Sequence, residues 1–186
     1  MPLGFAISIL GKAAPSLWRL CRRPVLEALP FDESRDLREW TLVGTISRVQ
    51  RVFTIEIRNT GFDVAKRCVG LLEINAAGAP DSQMKLYAVH WADVDYAFRT
   101  SGAETVDIGP EGRRLDVAFT YSGQPRDGCW IATPSALVAP LATPDWLAPG
   151  AYDARVIVRA QGALRSLSRF RIHSPAAGSN LSILPC

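Results

Sequence analysis

The stretch AYDARVIVRA (151–160), followed by Gln161-Gly162 and then LRSLSRFRI (164–172), decides the fold. Along 151–160, Tyr152, Ala154, Val156 and Val158 alternate with Asp153, Arg155, Ile157 and Arg159. Successive side chains of a strand point to opposite faces, so this period of two predicts a half-buried strand. In 164–172, Leu164, Phe170 and Ile172 share a face, and the Gln-Gly pair between the two runs predicts a hairpin. The same period appears upstream. In RRLDVAFTY (113–121) it places Leu115, Val117 and Phe119 inward, with Asp116, Ala118 and Thr120 outward. In RVFTIEIRN (51–59), Phe53, Ile55 and Ile57 lie opposite Val52, Thr54, Glu56 and Arg58.

Shorter runs complete the pattern. AKRCVGLLEI (65–74) aligns Cys68, Leu72 and Ile74, and MKLYAVHW (84–91) reads as a further strand. PVLEALP (24–30) reads as an edge strand, because prolines at both ends fit only where ladder bonds are dispensable. The charged run FDESRDLREW (31–40) is predicted to be a loop. Strands of this length, punctuated by Gly, Pro and Asn, predict an all-β, antiparallel sandwich. The exception is 128–149, GCWIATPSALVAPLATPDWLAP. Thr133-Pro134 and Thr143-Pro144 each offer an N-cap followed by a proline at the first helical position. Two short helical pieces are expected there, capping one end of the sandwich with Trp130 and Trp146 as plugs.

Three of these stretches, IEIRNTGFDVAKRC (55–68), VDIGPEGRRLDVAF (106–119) and LAPGAYDARVIV (147–158), resemble the CARDB group, prokaryotic immunoglobulin-like domains related to cell-adhesion modules. The shared features are Asn-x-Gly after a strand, a Gly-Pro turn before the next, and Pro-Gly before the penultimate one. The resemblance covers about residues 50–172. It implies an immunoglobulin-like sandwich of seven strands that binds or spaces and performs no chemistry. Family members are commonly exported, and the insertion at 128–149 and the stretch His90-Trp-Ala-Asp93 are extra to the pattern. The domain plan is an N-terminal helix (1–23), the sandwich (24–175) and a tail (176–186).

Composition narrows the function. The chain has 186 residues, 48% of them apolar, with 21 Lys+Arg against 18 Asp+Glu. That suits a globular domain with a real core, and a net charge of +3 does not announce a nucleic-acid binder. The charge is unevenly placed: residues 154–186 hold five arginines and no acid. Arg155 and Arg159 share parity on one strand, and Arg165, Arg169 and Arg171 on the next, so the hairpin should display a basic face. Such a face receives an acidic protein patch, acidic lipid or phosphates. It lacks the interleaved aromatics that single-strand nucleic acids stack on. The competing reading is a solvated face whose charges are partly paired.

Two further readings concern chemistry. His90, Asp93 and Asp95 could begin a divalent-metal site, with Glu104, Asp107 or Glu111 adding oxygen, although the same residues also cap turns. Neither a nucleophile elbow, a P-loop nor a dinucleotide-binding glycine pattern is present, and no cofactor is implied. Of the four cysteines, Cys68 and Cys129 lie in the sandwich body, either bridged or, in a reducing compartment, as thiols.

The N-terminal run LGFAISIL (3–10) is followed by Lys12, Pro15, Arg19, Arg22 and Arg23. A secretory signal has the reverse order of charge, which argues for a cytoplasmic chain. Leu3, Ile7, Leu10, Ala14 and Leu17 fall at helical spacing. Such a helix docks on protein or lies on a membrane, at its inner face given the arginines. The sequence thus predicts a non-enzymatic interaction module that presents either the Arg face or the 128–149 insertion, with Trp130 and Trp146, to a protein partner, tethered through residues 1–23 if that helix meets a membrane. The alternative is a small metal-binding protein or metal-dependent enzyme centred on 90–95.

Overall fold

The computed structural model describes residues 23–42, 48–94, 104–138, 145–161, 166–177 and 180–186. Sheet one contains β1 (Leu26–Ala28), β2 (Leu37–Leu42), β3 (Arg48–Asn59), β7 (Arg113–Tyr121), β8 (Cys129–Ile131) and β9 (Trp146–Leu147). Its order is β1-β3-β7-β8-β9, with β2 beside β1 on the outer side of β3. Sheet two contains β4 (Ala65–Ala76), β5 (Lys85–Ala88), β6 (Val106–Ile108), β10 (Gly150–Gln161), β11 (Ser166–Ser174) and β12 (Ser182–Pro185). Its order is β12-β11-β10-β4-β5, with β6 also on β4. Every named pairing is antiparallel. The chain is therefore an all-β sandwich of two antiparallel sheets.

The core lies where the period-two runs place it. Phe53, Ile55 and Ile57 of sheet one meet Cys68, Leu72, Ile74, Ala154, Val156, Val158, Phe170 and Ile172 of sheet two. Burying such side chains is worth about 1.5–3 kcal/mol each, which holds the sheets face to face. At 89–92 the chain leaves sheet two and crosses to sheet one. Val89 N–H still donates to Gly70 O, but His90 N–H donates to Ala132 O and Ala92 N–H to Arg114 O. This crossing closes one side of the sandwich and leaves His90 and Trp91 fully buried.

Three expectations are corrected. The run 31–40 is not a loop. It holds a helical turn, α1 (Glu33–Asp36), capped by Asp32 on Ser34 N–H, and then enters β2. Several of its charges have partners: Arg35 pairs with Asp36, and Glu39 faces Arg51 across the ladder, with Oε1 2.7 Å from Arg51 Nε. An edge strand carries charge readily when a cross-strand neighbour offsets it.

In β7 the inward–outward alternation breaks at Val117. Phe53 pairs with Ala118 and Thr54 with Asp116, leaving Val117 as the extra residue of a bulge. Beyond it parity reverses, so Ala118 joins the main core while Phe119 and Tyr121 face the other way. Asp116, expected outside, is fully buried.

In 128–149 only the first Thr-Pro pair starts a described helix, α2 (Pro134–Val138), with Thr133 Oγ1 accepting from Ala136 N–H at 3.1 Å. The second pair, like the helix expected over 1–23 except for Arg23 itself, falls outside the described residues. Cys129–Ile131 and Trp146–Leu147 are strands that widen sheet one.

Candidate functional site

The outer face of sheet two carries the arginines. Register places Arg169, Arg155, Glu73 and Leu86 in one cross-strand row, and Leu184, Arg171, Asp153 and Asn75 in the next. Each acid in these rows faces an arginine. Arg155 Nε donates to Glu73 Oε2 at 2.6 Å, and Arg171 Nε donates to Asp153 Oδ1 at 2.8 Å. The Arg171 hydrogen bond, then a bond from Gly78 N–H, hold the Asp153 carboxyl below its ordinary range. Arg159 and Arg169 are exposed and have no ion-pair partner among the described residues. Arg165 lies outside the described residues.

A third row of this face sets Leu71, Ile157 and Ala88 side by side, and Val69 faces Arg159. Ile157 is itself fully buried and Leu71, Ala88 and Val69 are half-buried, so the face sets modest apolar surface beside two guanidinium groups without an ion-pair partner among the described residues. The sequence identified the arginines by parity. It missed Glu73 and Asp153 as their partners, since pairing needs the register of β4 against β10.

Trp130 and Trp146 do not plug an end. They belong to a second cluster on the outer face of sheet one, with Val52, Phe119, Tyr121, Ala132, Ala136 and Leu137. Trp130 is fully buried, stacked on Tyr121 at 5.0 Å and on Phe119 at 5.7 Å, with Trp146 edge-on at 4.4 Å. The Arg126 guanidinium covers the Trp146 ring at 4.1 Å. The bulge at Val117 makes this cluster, because it turns Phe119 and Tyr121 toward α2.

His90 is wholly buried between two carboxylates. Its Nδ1 is 2.6 Å from Glu104 Oε2, and its Nε2 is 3.8 Å from Asp116 Oδ2. Glu104 Oε2 also accepts from Trp91 N–H at 3.1 Å, so with Glu104 ionised Nδ1 is the donor. Asp93 is 44% exposed and lies 3.8 Å from Arg113 Nη1. Asp107 binds Lys66 at 2.8 Å. Asp95 lies outside the described residues. Among the described residues, no group of three or more His, Cys, Asp or Glu side chains is arranged to hold a metal. The His90 arrangement pins the crossing segment at 89–92 to sheet one.

A cleft of about 540 Å³ opens at the end of the sandwich. It is lined by Leu37, Glu39, Arg51, Phe53, Asn180 and Leu181 among others, and none of the candidate site residues read from the sequence lines it. Among the described residues no helix is long and apolar enough to cross a membrane. Fold and surface together define a two-sheet β-sandwich with a charged, partly apolar outer face. No protein-family model matches the chain, and no curated protein matches it.

Proposed function

We propose that this chain is a non-enzymatic interaction module of the immunoglobulin-like, CARDB-like kind. It acts from the cytoplasmic side, tethered to the membrane through residues 1–23, and presents the outer face of sheet two to an acidic protein. Two facing antiparallel sheets support the immunoglobulin-like reading, although the described residues form twelve strands where the resemblance implies seven. One observation carries the functional reading. Arg159 and Arg169 stand exposed on the face that also carries half-buried Val69 and Leu71, while the other two described arginines of the face are internally paired.

Unpaired guanidinium groups next to apolar surface favour a partner that brings carboxylates and some apolar area together. The test uses a fluorescent oligoglutamate peptide as the acidic probe. Arg159→Glu/Arg169→Glu is expected to weaken its binding at least about tenfold, with unchanged folding, since both side chains are exposed. Equal affinity of the two proteins would make the face solvated surface only. Residues 1–23 are tested separately: retention on lipid vesicles after a high-salt wash is expected to disappear in Ile7→Asp/Leu10→Asp.

A further inference from the structure

Phe62 is 86% exposed, the most exposed large apolar side chain among the described residues, and Val64 two positions on is 41% exposed. Both sit on the short loop between β3 and β4. That loop is rigidly built. Asn59, only 6% exposed, uses its whole side chain to hold it. Its Oδ1 accepts from Gly61 N–H at 3.0 Å and from Val25 N–H at 3.2 Å. Its Nδ2 donates to Asp63 O at 2.7 Å and to Ile108 O at 3.0 Å. A side chain on Gly61 would strike the Arg23 carbonyl oxygen and lie 2.6 Å from Val25 N. The loop is therefore clamped against the backbone of Arg23–Val25, just ahead of β1, and of Ile108 in β6, and Phe62 is held outward from a fixed base.

The clamp also fixes where the N-terminal segment joins. Thr60 N–H donates to Val25 O at 2.8 Å, so residues 23–25 lie against the Phe62 loop. The chain that precedes them includes the apolar run LGFAISIL at 3–10. The described chain therefore begins, at Arg23, on the same end of the sandwich as Phe62. Described charges at this end offset one another: Lys66 is paired with Asp107 and Arg58 with Glu56, and exposed Arg23 and Arg67 are matched in number by Asp63 and Glu27. Attraction here is apolar and not electrostatic.

We infer that Phe62 and Val64 insert into the lipid surface beside the N-terminal segment, as a second membrane contact that orients the sandwich. This rests on the membrane-tether reading above and adds to it. A single short apolar element binds bilayers marginally and reversibly, and stable anchoring takes two. A rigid aromatic tip next to the tether meets the bilayer as an intramolecular event, at high effective concentration. Because the contact is apolar, it survives a salt wash that releases the Arg face.

The experiment uses the full chain with Cys21→Ser and Cys186→Ser, leaving the buried Cys68 and Cys129 in place. An environment-sensitive dye is attached at Phe62→Cys, or at Ser82→Cys on the opposite end as control, and vesicles of phosphatidylcholine and phosphatidylglycerol are added. The expected result is a blue shift and brightening at position 62 that persist in high salt, with no change at position 82. Without dye, Phe62→Ser is expected to lower the vesicle partition coefficient about tenfold.

If the chain partitions but the dye at 62 is unmoved and Phe62→Ser partitions equally, the tether stands and this inference falls. If no version of the chain partitions, the tether reading falls and takes this one with it. A shift at 62 that follows protein concentration without vesicles would make a second copy the occupant and overturn the lipid contact.

Discussion

Replacing Asn59 tests whether the loop is held as described. Asn59→Ala removes four hydrogen bonds, two to backbone donors and two to backbone acceptors. A net hydrogen bond contributes about 1 kcal/mol, and a buried partner left unpaired costs more. The bond to Ile108 O is buried, while water reaches the other three partners in part. The expected loss is about 3 kcal/mol. Asn75 is the control, since its single exposed bond to Pro80 O at 2.8 Å predicts a loss below about 1 kcal/mol on Asn75→Ala.

Asn59→Asp sharpens the test. It keeps the acceptor for Val25 and Gly61 but turns an oxygen toward the carbonyls of Asp63 and Ile108. The carboxylate is repelled there, whereas the protonated acid can donate to one of them. Its acidity is therefore weakened in the folded state, which binds protons more readily than the unfolded chain as pH falls. The stability of Asn59→Asp relative to wild type is thus lowest at neutral pH and recovers toward acid. Urea unfolding followed by tryptophan fluorescence, at neutral and mildly acidic pH, measures both variants with m as the check on two-state behaviour. A loss below about 1 kcal/mol in Asn59→Ala would refute the clamp. So would Asn59→Asp no worse than Asn59→Ala at neutral pH.

Two other outcomes follow from the core. A Cβ at Gly70 would collide with Leu115 Cδ1 and lie 3.0 Å from Cδ2, so Gly70→Ala should cost about 1–3 kcal/mol by overpacking. Gly70→Ala/Leu115→Val should lose less than the sum of its parts in the same unfolding assay. Burial raises the thiol of Cys129 from 9.0 to about 12, and burial, then the charge of Asp107, raises that of Cys68 to about 11. Both should resist alkylation in the native protein while exposed Cys186 reacts, read by mass of the labelled peptides. Because the folded values exceed the unfolded ones, the thiols' contribution is intact below pH 9 and is lost as pH climbs toward 11–12. Native labelling of Cys129 at the rate of Cys186 would contradict its burial.

The period-two runs made the sandwich legible, because alternation reports which face of a strand is dry and needs no knowledge of its neighbours. That is why the faces of 51–59, 65–74 and 151–160 agree with the core. The reading failed wherever a neighbour decided the outcome. The bulge at Val117 exists only in the register of β7 against β3, and it reverses Phe119; Asp116, ahead of it, is buried where the 89–92 segment crosses, its N–H donating to His90 O. The run 31–40 looked too charged for a sheet, since the Arg51 that answers Glu39 becomes its neighbour only through the ladder. The Arg face lost half of its described free charge for the same reason, to Glu73 and Asp153.

Asn59 shows the limit most clearly. Asn-Thr-Gly at 59–61 reads as a turn, and locally it is one, with Asn59 Oδ1 on Gly61 N–H. Nothing in those three residues says that Val25 and Ile108, 34 and 49 residues away, arrive at the same side chain. Once they do, a turn that would tolerate many residues becomes one that needs a donor and an acceptor at once, with no Cβ at Gly61. The demand for asparagine comes from the backbone of Val25, just ahead of β1, and of Ile108 in β6, and so does the fixed outward angle of Phe62. An exposed phenylalanine on a slack loop can fold back onto the sandwich, but one on a clamped loop stays in solvent until another surface covers it.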